Sequence, residues 1–137
     1  MNPTLHDQGR QVLQAQAFSR LLGTELDRLE PGAATLRLRL RPDHLQQHGI
    51  VHGGVIAYLA DNALTFAGGS VLGDCVTAEW KINYLRPARA AESLVAEAQV
   101  VGQGRSQAVC RCDVYAQGAD GRVLCAAAQG TIRRREG

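Results

Sequence analysis

The sequence predicts an α+β fold in which an antiparallel sheet wraps around one long central helix. Two observations predict it. Between Gly53 and Leu72, residues Val55, Ile56, Tyr58, Leu59, Ala60, Ala63, Leu64, Phe66 and Ala67 spread apolar side chains over nearly the whole helical circumference, and a helix apolar all round is buried. From Cys75 onward come stretches of strand character at 75–85, 93–102, 106–116 and 123–133. Their short separators require antiparallel pairing.

The elements before the long helix follow from local pattern. Leu5, Val12, Leu13, Ala17, Phe18, Leu21 and Leu22 fall on one face of a helix over residues 4–22, which Gly23 stops. Residues 24–29 read as extended, and Pro31-Gly32 as a turn. Alternation from Ala34 to Arg41 gives a strand with one apolar and one charged face. Residues 42–51, with Pro42 and Gly49, are irregular, and the later separators are 87–92, 103–105 and 117–122. No repeat, linker or low-complexity stretch interrupts the 137 residues, which read as a single domain over 1–137.

Composition narrows the functional classes. With 45% hydrophobic and 20% charged residues, collagen-like and disordered readings fail. No apolar stretch is expected to reach the roughly 18 residues of a membrane span. The first residues lack the basic-then-apolar layout of a signal peptide, so a cytoplasmic protein with no membrane partner is expected. All but Lys81 of the 15 basic residues are arginine, and the net charge is +2. Apart from Arg37/Arg39/Arg41 and Arg133–Arg135 they are scattered, and aromatics are 4%, which speaks against a nucleic-acid partner. A modest anionic ligand remains compatible. Cys75, Cys110, Cys112 and Cys125 read as reduced small hydrophobes. Cys110 and Cys112 share a strand face, poor geometry for a disulfide.

Common catalytic signatures are missing: there is no G-x-S-x-G and no phosphate-binding glycine loop. His44, His48 and His52 recur every four residues. Pro42, Gly49 and Gly53-Gly54 nevertheless make their segment a loop, so no metal site is expected. The informative stretch runs from His48 to Val55 and on through Leu59-Ala60-Asp61-Asn62. Two glycines opening a buried helix let a ligand approach its free N–H groups, which suit an anion or a polarised carbonyl. Asp61 lies two turns inside that helix. It either caps a loop or pairs with an arginine, or it belongs to a site.

The segment from Gln46 to Asp61, followed by Thr77-Ala78-Glu79-Trp80-Lys81-Ile82-Asn83-Tyr84-Leu85-Arg86-Pro87-Ala88, resembles the hotdog-fold acyl-CoA thioesterases of the phenylacetate-pathway type. The H-G-G-x(6)-[D/E] spacing together with the N-Y-x-R-P-A-like strand end carries the resemblance. It implies hydrolysis of small aryl or medium-chain acyl-CoA thioesters to a carboxylic acid and coenzyme A, with Asp61 as the acidic catalytic residue and the Gly53 N–H polarising the thioester carbonyl. It further implies that Gln46 supplies an amide near the thioester and that Thr77 holds the hydrolytic water. Thr65 is a second hydroxyl candidate, and His52 is a loop support more than a catalyst. Tyr58, Leu59, Asn62 and Phe66 are expected to line the acyl pocket, with Tyr84 at the substrate. Arg86, Arg89 and Arg105 are candidates for the coenzyme A phosphates. No separate cofactor is implied, since coenzyme A is part of the substrate.

Eight helical residues separate Gly53 from Asp61, about 12 Å at roughly 1.5 Å per residue. One carbonyl cannot touch both, because attack geometry needs about 3 Å to each. Both act only if they come from different subunits, so a homodimer at least is expected, and the resemblance extends this to a dimer of dimers. Asp61 then serves as general base or as nucleophile. The competing readings on the same fold are a non-catalytic acyl-CoA-binding domain and a dehydratase or hydratase. The latter needs a histidine facing the carboxylate.

Overall fold

The computed structural model describes residues 2–89 and 91–136. Met1 and Gly137, which bound the domain read from the sequence, and Ala90, within the 87–92 separator, lie outside the described residues. Helices α1 (Leu5–Ala15) and α2 (Ala17–Leu22) lead into strands β1 (Thr24–Glu30) and β2 (Ala33–Arg39). A short turn of 3₁₀ helix at Pro42–His44 precedes α3 (Gly53–Leu72). Strands β3 (Cys75–Tyr84), β4 (Ser93–Gln103), β5 (Gln107–Gly118) and β6 (Gly121–Arg134) complete the chain. One six-stranded sheet has the order β1-β2-β4-β5-β6-β3, with every neighbouring pair antiparallel. It wraps α3 in the hotdog arrangement.

The single helix expected over 4–22 is two. Gln16 has extended backbone (ψ 107°), and its side-chain carbonyl accepts from Ser19 Oγ at 2.6 Å and from Asn62 Nδ2 at 3.2 Å. The break turns α2 toward α3, where Ser19 is buried. Thr4 caps α1 and exchanges hydrogen bonds with Asp7. That bonding holds the Asp7 carboxyl below the usual carboxylate range.

A second difference concerns β3. Short separators suggested that each late strand pairs with the next, which holds for β4, β5 and β6. The connection after β3 instead crosses the sheet. β3 lies on the far edge beside β6, while β4 joins β2. The edge position leaves one side of β3 unpaired among the described residues.

The inner face of the sheet supplies Leu36, Leu38, Leu94, Cys110, Cys112, Val114 and Ile132, all at most 1% exposed, against Leu59, Ala60, Ala63, Leu64 and Ala67 of α3. The helix is not enclosed all round as its composition suggested. Val55, Tyr58, Asp61, Asn62 and Thr65 are half-buried, on a flank the chain leaves open. By length and composition this 20-residue helix, whose most apolar 18-residue stretch has mean hydropathy 1.3, would also pass for a membrane span, contrary to the sequence reading. Half of it is buried inside the fold, as expected for a core helix under a sheet.

Gly130 on β6 faces Trp80 on β3. An added Cβ would lie 2.5 Å from Trp80 Cβ and 2.6 Å from the Glu79 carbonyl oxygen, so part of the clash is with backbone. Gly130→Ala should therefore destabilise the fold by about 1–3 kcal/mol, the usual cost of overpacking, read as a lower denaturation midpoint at unchanged slope.

Candidate active site

Of the hydrogen bonds that tie α3 to β3, two frame the site. At one end Tyr84 Oη donates to the Gly53 carbonyl at 2.9 Å. At the other, Thr77 Oγ1 donates to Asp61 Oδ1 at 2.7 Å. Thr77 and Tyr84 are seven apart, and regular alternation would place them on opposite faces of β3. A β-bulge between Thr77 and Glu79 inserts one residue, so both face the helix. Bulges of this kind re-aim side chains beside active sites.

Asp61 is half-buried and exposed to the open flank. With Oδ1 held by Thr77, its second carboxylate oxygen has no protein partner among the described residues. Thr65 Oγ1 lies 2.9 Å from the Asp61 carbonyl and 3.0 Å from Thr77 Oγ1. Each hydroxyl has a single hydrogen, given by Thr77 to Asp61 Oδ1 and by Thr65 to the Asp61 carbonyl, so the contact between the two hydroxyls shares one of those hydrogens. Thr77 is thus occupied as a donor and retains a lone pair.

The glycine pair opens α3 as the sequence suggested. His52 is its N-cap, Nδ1 accepting from the Gly54 N–H at 2.8 Å, and the His52 carbonyl takes the N–H groups of Val55 and Ile56. Among the described residues nothing accepts the Gly53 N–H, which points out at the positive end of the helix. An added Cβ at Gly53 would lie 3.5 Å from the Tyr84 ring.

The remaining candidates separate. Gln46 sits in the turn before α3, its side-chain oxygen accepting from the His48 N–H at 3.1 Å, which leaves its amide N–H₂ as a donor. Leu59 is fully buried in the core. The Tyr58 hydroxyl is used internally, donating to Ser19 Oγ at 2.6 Å while 2.7 Å from Thr24 Oγ1. Asn62 and Phe66 do line a groove, of about 550 Å³, between α1 and α3. Arg86 and Arg89 are exposed just beyond the Tyr84 end of β3. Arg105 is exposed in the β4–β5 turn at the opposite, Thr77 end, since Val76, Arg133 and Gln107 align across the sheet.

His44 was read only as part of a discarded metal pattern. It is fully buried, its Nδ1 accepting from the Arg41 N–H at 3.1 Å and its Nε2 3.0 Å from the Leu22 carbonyl. It also accepts the His52 N–H on its own carbonyl at 2.9 Å. The loop that presents Gly53 is thereby pinned to α2. No sequence signal separates this histidine from an exposed one.

The structure therefore defines a hotdog domain whose central helix carries a tethered carboxylate and, two turns earlier, an unpartnered N–H. The thioesterase superfamily model matches residues 48–122, and the chain belongs to that family. It is 34% identical to a putative esterase of Deinococcus radiodurans, over 90% of this chain and 82% of that one. It is 31% identical to the acyl-coenzyme A thioesterase PaaI of Escherichia coli, over 77% and 76%. A crystal structure of a thioesterase family protein from Silicibacter pomeroyi superposes with a TM-score of 0.89 at 28% identity, covering 95% of this chain and 97% of that one.

Burial pushes the thiols of Cys75 and Cys110 up to about 11 and raises Cys112 and Cys125 as well. The thiolate is the reactive form. Native protein at pH 7.5 should take up less than ~0.1 equivalent of a thiol reagent within minutes, and all 4 cysteines should react once guanidinium unfolds it. Rapid labelling of the native protein would contradict this placement.

Proposed function

We propose that this protein is an acyl-CoA thioesterase, hydrolysing acyl-CoA to a carboxylic acid and free coenzyme A, and that it works as a homodimer at least. The observation that carries the reading is the Thr77-tethered carboxylate of Asp61, on a helix flank the chain leaves open. Family membership and the acyl-CoA thioesterase relative support it.

In this reading water sits between the free oxygen of Asp61 and the thioester carbonyl carbon. Asp61 takes its proton as the oxygen attacks. The carbonyl π electrons move onto oxygen, where the Gly53 N–H and the helix dipole stabilise the negative charge. Collapse expels the thiolate of coenzyme A, which recovers the proton. Thr77 orients the base, and the Gln46 amide is a second donor to the carbonyl. The residue types fit a reaction with no cofactor beyond the coenzyme A of the substrate.

Asp61 and Gly53 of one chain are too far apart for one carbonyl. The free edge of β3, with Val76, Tyr84 and Leu85 exposed along it, offers the solution. Antiparallel pairing of two β3 edges about a two-fold sets the Thr77 end of one strand beside the Tyr84 end of the other. The Gly53 N–H then meets the partner subunit's Asp61. The same operation brings Arg86 and Arg89 toward the partner subunit's Arg105, a cationic set for the coenzyme A phosphates. A cytoplasmic location fits substrates of this kind.

Release of free thiol from acyl-CoA tests the reading, and its complete absence would overturn it. Asp61→Asn should lower turnover at least ~100-fold while stability holds within about 0.5 kcal/mol, because the amide still accepts from Thr77. Gly53→Pro removes the N–H at a helix position that tolerates proline and should cost about 10²–10³ in kcat. Near-normal kcat in either variant contradicts its role. A single turnover in ¹⁸O-water should label the product acid and not the protein. Label in Asp61 would show attack by the carboxylate itself.

A further inference from the structure

Two β3 edges can pair about a two-fold in several registers, and the side chains along the strand select one. We propose that Glu79 of each subunit lies opposite the partner subunit's Lys81, so that two reciprocal ion pairs flank the axis and lock the register of the shared site. This rests on the homodimer of the reading above and names the contact that aligns it.

The first argument is the two faces of the strand. Beyond the bulge, Trp80, Ile82 and Tyr84 lie opposite the buried Gly130, Ala128 and Ala126 of β6, and Trp80 and Ile82 pack against the core. Glu79, Lys81 and Asn83 lie opposite Thr131, Gln129 and Ala127, and all three are exposed on the outer face. Residues directly opposite in an antiparallel pair point to the same face. Two identical strands about a two-fold must therefore match inner with inner and outer with outer. Their register can change only in steps of two residues.

The second argument is charge. Centring the axis on Trp80 sets Glu79 against the partner subunit's Lys81, and Lys81 against the partner subunit's Glu79. One step toward Tyr84 centres the axis on Lys81, which then faces its own copy. One step the other way centres it on Glu79, and two carboxylates meet. A second step toward Tyr84 pairs Lys81 with an asparagine and leaves Glu79 beyond the end of the partner strand. Opposite charges across antiparallel strands attract, and like charges directly opposite repel. Both groups are available, since among the described residues neither takes part in an ion pair. Glu79 is held on the outer face by Thr131, whose Oγ1 donates to its Oε1 at 2.7 Å. On the inner face the same register sets Trp80 against its own copy, a favourable aromatic pair.

Register matters to the chemistry. Each step slides one subunit along the other by two residues, about 7 Å at roughly 3.3 Å per residue. Asp61 moves by a like amount relative to the partner subunit's Gly53. Only one register can then serve a carbonyl that must touch both.

The test is dimer dissociation, followed by sedimentation over a dilution series at low salt. Glu79→Lys and Lys81→Glu, each alone, oppose like charges twice and should raise the dissociation constant at least about fivefold. The variant carrying both changes should return to within about threefold of wild type. Unfolded and refolded together, the two single variants should form more than the statistical half of hybrids. Cysteines read the register directly. Under mild oxidation, Glu79→Cys chains mixed with Lys81→Cys chains should cross-link as hybrids. Lys81→Cys alone should not, because its two copies are offset by two residues, beyond disulfide reach. Unchanged dissociation in both single variants, cross-linking of Lys81→Cys with itself, or a wild type that stays monomeric would overturn the assignment. A wild type that dimerises and cross-links as described, yet releases no thiol from any acyl-CoA, supports this interface and removes the thioesterase reading alone.

Discussion

The hydrogen bond from Thr77 to Asp61 is the contact on which the site depends, and it exists because β3 carries a bulge. A carboxylate halfway along an apolar helix loses hydration and must find a donor. Thr77 supplies one at 2.7 Å, while Tyr84 ties the start of the same helix to the same strand. Strand alternation forbids both ties on a regular β3. The extra residue between Thr77 and Glu79 permits them, and α3 is then registered on the sheet edge at two points eight helical residues apart. Rigid placement of this kind is what positions a reacting group to within fractions of an ångström.

Placement has a consequence for assembly. The half-buried flank of α3 that carries Asp61 and Thr65 lies against β3, an edge strand of the sheet. In the proposed reading a lone chain presents its base at one point and its oxyanion donor at another, each incomplete. The proposed two-fold pairing converts one deficiency into the remedy for the other, since the two ends of β3 exchange places across the axis. The pinning of the Gly53 loop through His44 and the capping of α3 by His52 matter for the same reason. Each side of a shared site must be held by its own subunit before the partner arrives.

Much of this was legible in the sequence, and the parts that were not share a cause. The bounds of α3 followed from the apolar run and its flanking glycines, and the strand bounds from β-forming stretches between Gly- and Pro-containing turns, because both signals are local. The H-G-G and Asp61 spacing pointed to the candidate site through a resemblance. The break at Gln16 was invisible, since it depends on Ser19 and on Asn62, 46 residues away. The placement of β3 at the far edge depends on strand partners, which short separators do not specify. The bulge at Ala78 leaves no mark in residue type. Tyr58 was assigned to substrate from its place on the helix, yet its hydroxyl is spent on Ser19 and Thr24.

The central claim is that one catalytic site draws Gly53 from one subunit and Asp61 from the other, and complementation tests it most directly. Inactive Asp61→Asn and inactive Gly53→Pro homodimers are mixed, unfolded and refolded together, and thiol release is measured. Random reassortment makes half of the dimers hybrids, each with one intact site, so activity should return to about a quarter of wild type. Activity that stays at the level of the two separate variants, with hybrid dimers shown to be present, would contradict a site shared between subunits.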